Sequence, residues 1–487
     1  MFKLFSPRSV GASRAYALCG MATLIVLAPL VAASQGAPWS NWDQNRAFSD
    51  SQKRVVEGKD PLPGPRTCFW RYGPSSGDPY INIAYPDAAT FYWGAVFTVP
   101  QGAKLHLEGR FPHARYMSLI SYDYKGAPLD AVADYLFQPV PGSINPFIDG
   151  ADRTTRNRSY RIEVVNAERP TPMRWGVHLK GETRDRIHAP QLAESPQQQI
   201  QYRIYANDHA TDETANAGLP EPVLTLADGK VLRGAQACAQ LNTAQPLVAD
   251  LGAMAMPRER LQQLLADAKQ KFGPNGPATN PPTWTKTSQE TSRFALYTGD
   301  FKIEPDVRRR DGTFYANLDN QYVRSFISRK FGDVWVMRAK APTTPRTFKG
   351  DAKWSDAGEL RYWSWCSNQG FGTARVNACV FDEQVPVDAQ GYYTLVMSRA
   401  SERPRNAIPE CGVAWLPMAD VGDGTGDPDL TILLMRQMLG AGEFKNALHS
   451  ILKQEDIESG MGPYFPRGRY MSVSAFETAR PCLLESR

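Results

Sequence analysis

The sequence predicts a mainly β protein, built as two tandem antiparallel β-sandwich domains with a few helices. Three observations carry that expectation. The first is an internal repeat: "YWGAVFTVPQGAKLHLEGRFP" from Tyr92 lies over "YVRSFISRKFGDVWVMRAKAP" from Tyr322 without a gap, at a constant offset of 230 residues. The second is the alternation of polar and apolar residues in "AKLHLEG" and "DVWVMRA", the period of a strand with one buried face. The third is turn punctuation ahead of these runs, Pro-Gln-Gly in one copy and Phe-Gly-Asp in the other.

Taken in order, residues 1–33 read as an export signal. Lys3, Arg8 and Arg14 form a basic start, "ALCGMATLIVLAPLV" is an apolar core, and "VAA" before Ser34 offers small residues for cleavage. The apolar run is about 15 residues, short of the roughly 20 that a spanning helix needs. No stable membrane span is expected after cleavage, and the mature chain is expected in the periplasm or secreted. Loss of the three basic residues lowers the formal net charge from +5 to +2, which argues against a nucleic-acid partner. Cys68, Cys238, Cys366, Cys379, Cys411 and Cys482 then remain, an even number suited to disulfides in an oxidising compartment. No C-x-x-C pair points to a metal.

The first sandwich is placed at residues 60–245, a helix and linker at 255–292, and the second sandwich at 293–487. Within the repeat, Asp87 falls beside Asp319 once two residues are skipped. R-Y-M-S at Arg115 meets R-Y-W-S at Arg361 at an offset of 246, because "TTPRTFKGDAKWSDAG" lengthens the second copy. "YRIEVVNAERP" from Tyr160 and "YTLVMSRASERP" from Tyr393 continue the series in the same order. Such ordered agreement is the signature of a duplicated domain. From Pro257, Leu261, Leu264, Leu265, Ala268 and Phe272 share one helical face. A second helix is expected in "DPDLTILLMRQML", with Asp427 as cap and Pro428 in the first turn. "FPRGRYMSVSAFE" from Phe465 echoes the first copy's "FPHARYMSLISYD" but lies too near the end to open a domain. It is expected to supply a single strand to the second sandwich.

Candidate chemistry is sparse. His113, Arg115, Tyr116 and Asp123 cluster in the first copy, where a histidine could move a proton and an arginine hold an anion. Against this, Arg115 is expected to pair with an acid such as Asp87, and Arg361 with Asp319. There is no G-x-S-x-G elbow, no phosphate-cradling loop and no H-x-x-x-H spacing, so no metal or cofactor is expected. "DVGDGTGDPDL", with Asp420, Asp423, Asp427 and Asp429, leaves calcium as the minor alternative. Trp93, Trp175, Trp363 and Trp365, with Arg361, would suit stacking on sugars if their rings lay on an exposed sandwich face.

The strings "GRFPHARYMSLISYD", "VPGSINPF", "RYWSWC", "CGVAWLP" and "PRGRYMS" together resemble a group of exported bacterial proteins of unknown function. More distantly, "NLDNQY" and the strands after it resemble bacterial envelope domains that form β-sandwiches. The resemblance implies export and a β-rich fold, and brings no catalytic residue with it. The expectation for function is an exported binding protein for a small ligand or envelope glycan, with a saccharide as the leading ligand class. The alternative is an exported hydrolase or lyase with its site in the first domain.

Overall fold

In the computed structural model, the described residues are 63–170, 182–247, 258–287, 297, 315–355 and 358–482. The expected export signal and Trp175 lie outside them. The first half runs β1 (Tyr72–Ser75), β2 (Thr90–Phe97), β3 (Lys104–Arg110), β4 (Ala114–Tyr122) and β5 (Pro128–Ala133). It continues with β6 (Ser159–Val165), β7 (Arg186–His188), β8 (Gln198–Asn207), β9 (Glu221–Thr225), β10 (Val231–Arg233) and the helix α1 (Gly234–Gln240). Helix α2 (Arg258–Phe272) leads to the second half. There follow β11 (Thr285–Thr287), β12 (Asn320–Ser328), β13 (Val334–Lys340), β14 (Tyr362–Asn368), β15 (Val376–Phe381) and β16 (Tyr392–Ser398). β17 (Val413–Pro417), β18 (Leu430–Met438), the short helix α3 (Ile457–Met461), β19 (Arg467–Met471) and the helix α4 (Val473–Ala479) complete it.

The fold is mainly β, with four sheets among the described residues. The first half pairs the sheet β1-β2-β8-β4-β5 with β10-β9-β3-β6-β7, and the second pairs β11-β12-β18-β14-β15 with β17-β16-β13-β19. The strand orders correspond except for β10, which has no counterpart in the second half, and they include a parallel pair in the same place, β6 with β7 and β16 with β17. Register repeats as well. Arg203 stands opposite Tyr92 and Ser118, and Arg436 stands opposite Tyr322 and Ser364.

Alternation sends Met117 and Leu119 of β4 into the first apolar core with Leu105, Leu107, Ile162 and Val164. The same alternation turns Tyr116 and Ser118 toward the other half. That first core is not closed by its own half: Trp354, Tyr362, Phe381, Met438 and Leu439 belong to it. Trp354 is carried there by the stretch that lengthens the second copy, whose backbone pairs with the first half through Gly150 N to Trp354 O (2.9 Å) and Arg153 N to Ala352 O (2.9 Å).

The stretch expected to be helical from Asp427 is instead the strand β18, central between β12 and β14 and buried at every position. A short apolar run has no periodicity that separates a buried helix from a strand covered on both faces, and here the pairing partners decide. Helix α2 buries Leu261, Leu264 and Ala268 against Phe326, Phe371, Leu430 and Ile432 of the second half, with Leu265 and Phe272 partly covered. β19 pairs with β13 at the place where β9 pairs with β3. Its R-Y-M-S therefore has a different topological position from that of β4. The motifs at Arg115 and Arg361 hold equivalent places in the two halves, and the one at Arg469 does not. Disulfides join Cys68 to Cys238, Cys366 to Cys379 and Cys411 to Cys482.

Candidate functional site

The sheets β1-β2-β8-β4-β5 and β11-β12-β18-β14-β15 meet face to face, and the layer between them is polar and reciprocal. Arg115 reaches out of the first half to Asp382 (3.1 Å) and Glu383, while Arg361 of the second half reaches Asp134 at 2.9 Å. Asp134 and Asp382 hold the same place after β5 and β15, and each also accepts a backbone N–H from the motif of its own half, Met117 or Trp363. The tyrosines cross as well. Tyr116 donates to Asp319 at 2.6 Å and Tyr362 to Asp87 at 2.9 Å. A third exchange uses the arginines of β8 and β18: Arg203 donates to the Tyr315 carbonyl (2.5 Å) and Arg436 to the Tyr85 carbonyl (2.6 Å). Tyr85 and Tyr315 share a left-handed backbone, φ 54° and 52°, which aims those carbonyls across the interface.

Burial sets the electrostatics of this layer. Desolvation raises Asp134 to about 6 against the downward pull of Arg361, and it raises Asp319 and Asp382 as well. The hydroxyls of Tyr92, Tyr116, Tyr205 and Tyr362 are pushed up by the same cause, so they stay neutral donors.

Several sequence-based assignments need correction. Arg115 does not pair with Asp87, nor Arg361 with Asp319; the acids that serve the arginines are Asp382, Glu383 and Asp134, and Asp87 and Asp319 serve the tyrosines. The quartet His113, Arg115, Tyr116 and Asp123 is not brought together. His113 precedes β4 and Asp123 follows it, with the nine residues of that strand, about 30 Å, between them. His113 has Arg158 Nη1 at 2.6 Å from Nε2, and burial, then Arg158, Arg153 and Arg110, depress it to about 4. Asp123 shapes the turn after β4, accepting the N–H groups of Lys125 and Ala127 at 2.8 Å.

The tryptophans are core residues. Trp93, Trp363 and Trp365 are buried, with their indole N–H groups on Pro65 O, Pro342 O and Tyr393 Oη. Among the described residues the least buried tryptophan, Trp415, lies under the Arg403 guanidinium at 4.3 Å. Three of the four aspartates considered for calcium are engaged otherwise. Asp423 accepts backbone N–H groups of Thr425, Gly426 and Asp427, Lys330 holds Asp427 at 2.6 Å, and Arg329 holds Asp429 at 2.6 Å. Among the described residues, Asp87, Cys366 and Cys379 have ligand atoms close enough for a metal, but both sulfurs are spent on a disulfide.

Aromatic residues do approach the surface where the halves meet, but they are tyrosines. Tyr92, Tyr315 and Tyr322 are each partly exposed, around the buried Arg203 and Arg436. Asp134 and Asp382 could have been found by extending the motif alignment some twenty residues downstream, where "AVAD" faces "CVFD". Arg203 and Arg436 could not, because "QYRIYAN" and "LLMRQML" share little else.

No protein-family model matches the chain, and no curated protein matches it in sequence. Two solved structures are similar over most of its length. One is an uncharacterised protein from Burkholderia cenocepacia, 13% identical, covering 81% of this chain and 79% of its own, with a TM-score of 0.42. The other is the VPA0106 protein of Vibrio parahaemolyticus, 12% identical, covering 90% of this chain and 99% of its own, with a TM-score of 0.37. Among the described residues no helix is long and apolar enough to cross a membrane.

Proposed function

We propose that the mature chain is an exported binding protein that holds a small polar ligand, with a saccharide as the leading class, and performs no chemistry on it. The observation that supports this reading is the rim formed by Tyr92, Tyr315 and Tyr322 where the halves meet. Tyrosine offers an apolar ring for stacking and a hydroxyl for hydrogen bonding at small entropic cost, the combination a sugar-sized ligand uses. Beneath the rim lie two guanidiniums and the amides of Asn317 and Asn320, all buried.

The enzymatic alternative draws less support. Its arginine and tyrosine are tied to acids of the other half, and its histidine and aspartate are a strand length apart. The test is a ligand screen on the purified mature protein, with neutral oligosaccharides and simple esters, on the wild type, Tyr92→Ala and His113→Ala. The binding reading expects thermal stabilisation by a saccharide that Tyr92→Ala removes and His113→Ala does not. Ester turnover abolished by His113→Ala would overturn it.

A further inference from the structure

Because the halves share one plan, a bond present in only one of them is not something the fold requires. Cys366 and Cys379 stand directly opposite each other on β14 and β15 and are joined by a disulfide. The same places on β4 and β5 are held by Ile120 and Ala131, which pair in the same register without one. The bridge spans a separation of 13 residues, against 71 for Cys411–Cys482 and 170 for Cys68–Cys238, and a short loop restrains the unfolded chain least. Of the three, it is the one whose opening costs the fold least in loop entropy.

Its two sulfurs differ in access. Cys366 is 0% exposed, while Cys379 is partly exposed on β15, the edge strand of its sheet. Both sulfurs accept hydrogen bonds: Arg436 Nη1 donates to Cys366 Sγ at 2.8 Å, and the backbone N–H of Ala88, an exposed residue of the first half, donates to Cys379 Sγ at 3.2 Å. Among the described residues, the sulfurs of the other two bridges accept none. Arg436 is fixed in place by the Tyr85 carbonyl at 2.6 Å and lies 3.7 Å from Asp87. An oxygen of Asp87 is within 4.8 Å of both sulfurs, but its charge is already answered by Ser364 Oγ at 2.6 Å, Tyr362 Oη at 2.9 Å and Ala89 N at 3.0 Å. The leaving group of disulfide exchange is a thiolate, and a guanidinium already in contact with that sulfur stabilises the charge as it forms.

We propose that Cys366–Cys379 is a thiol–disulfide exchange site for a small-molecule thiol, which attacks the partly exposed Cys379 sulfur and is held there as a mixed disulfide. The incoming thiolate forms a bond to Cys379 Sγ, the bond between the two cysteine sulfurs breaks, and its electron pair leaves on Cys366 Sγ, beside Arg436. A second thiolate then attacks the sulfur of the bound molecule, and a small-molecule disulfide departs. The electron pair is left on Cys379 Sγ, where the Ala88 N–H meets it. Two thiols are oxidised and the bridge is reduced by two electrons; attack of the Cys366 thiolate on Cys379 reverses the first step and closes the bridge. The site does not rest on the binding reading.

The test is incubation of the folded mature protein with excess glutathione at neutral pH, without denaturant, trapping with N-ethylmaleimide at successive times and mapping the peptides. Cys366–Cys379 is expected to open several-fold faster than either other bridge, with glutathione on the peptide that carries Cys379 and maleimide on Cys366. A bridge that stays closed until denaturant is added overturns the site, as does earlier opening of Cys68–Cys238 or Cys411–Cys482, or glutathione found on Cys366. Arg436→Gln keeps a donor for the Tyr85 carbonyl and removes the charge, so the opening should slow several-fold. A variant with wild-type circular dichroism that opens at the wild-type rate overturns the proposal. If Arg436→Gln does not fold, the order of opening and the position of the label in the wild type decide it.

Discussion

Arg361 sits between two aromatic rings, Trp354 at 4.2 Å and Tyr135 at 5.7 Å, with its charge met by Asp134. Truncating one partner of such a pair leaves the other buried and unanswered. Arg361→Met is therefore expected to cost about 3–5 kcal/mol in urea unfolding, whereas Arg361→Met with Asp134→Leu should recover much of it. A double variant no more stable than the single one would mean that stacking, not charge, holds this place. His113 gives a pH dependence of defined sign. Its folded value near 4 lies below the ordinary 6.5, so the unfolded chain takes up the proton first and stability is lost as pH falls from about 6.5 toward 4. His113→Gln should lose less stability over that window than the wild type, by roughly 1 kcal/mol once solvent screening of this half-buried group is allowed for. Asp134 acts in the opposite direction: raised to about 6, it contributes stability that is full below about 4 and lost as pH rises through 6. Comparing urea midpoints at pH 4.5 and 7 for both proteins isolates the histidine contribution.

Among the elements, the stretch between β13 and β14 does the most to join the halves. Thr347 accepts from Arg115 Nε at 2.8 Å, Phe348 N donates to Glu383, and Trp354 enters the first core beside Phe147. Trp354→Ala is expected to cost about 3–5 kcal/mol, and hydrogen exchange should rise at Gly150 and Arg153, whose amides pair with this segment. An unchanged exchange pattern there would show that the backbone pairing holds without the indole. In the sequence this stretch was visible only as an interruption of the repeat. Its Pro, Thr and Lys residues give no local sign that a tryptophan within it completes a core more than 200 residues away. The strand β18 differs from the helix its sequence suggests for a related reason: a continuously apolar segment carries no face, and its identity comes from the strands on either side.

At the scale of the whole molecule, two halves of matching plan exchange charged groups, and the second half helps to complete the packing of the first. The disulfide between Cys68 and Cys238 spans a separation of 170 residues, and by the chain-entropy relation it is worth up to about 5 kcal/mol. Replacing both cysteines by serine should lower the thermal midpoint by several degrees while the fold persists. Because the first core contains Trp354, Tyr362 and Phe381, residues 60–245 produced alone should expose apolar surface and aggregate. Co-expression with residues 255–487 should yield a stable complex on size exclusion. A soluble, cooperatively folding first half by itself would contradict the interlocked description.

The sequence by itself determined the elements that depend on local pattern and on internal comparison. The alternating strands, the apolar face of α2, and the equivalence of Tyr92 with Tyr322 and of Arg115 with Arg361 were all legible, because strand and helix periods are written residue by residue and the copies preserve their order. Only the tertiary structure decided which acid meets which arginine, and that Trp93, Trp363 and Trp365 face inward. Those outcomes follow from how the sheets that contain β4 and β14 face each other. A repeat read along one chain equates position with position, whereas an approximate two-fold packing joins each position to a different one in the other copy, and no period in the sequence encodes that crossing.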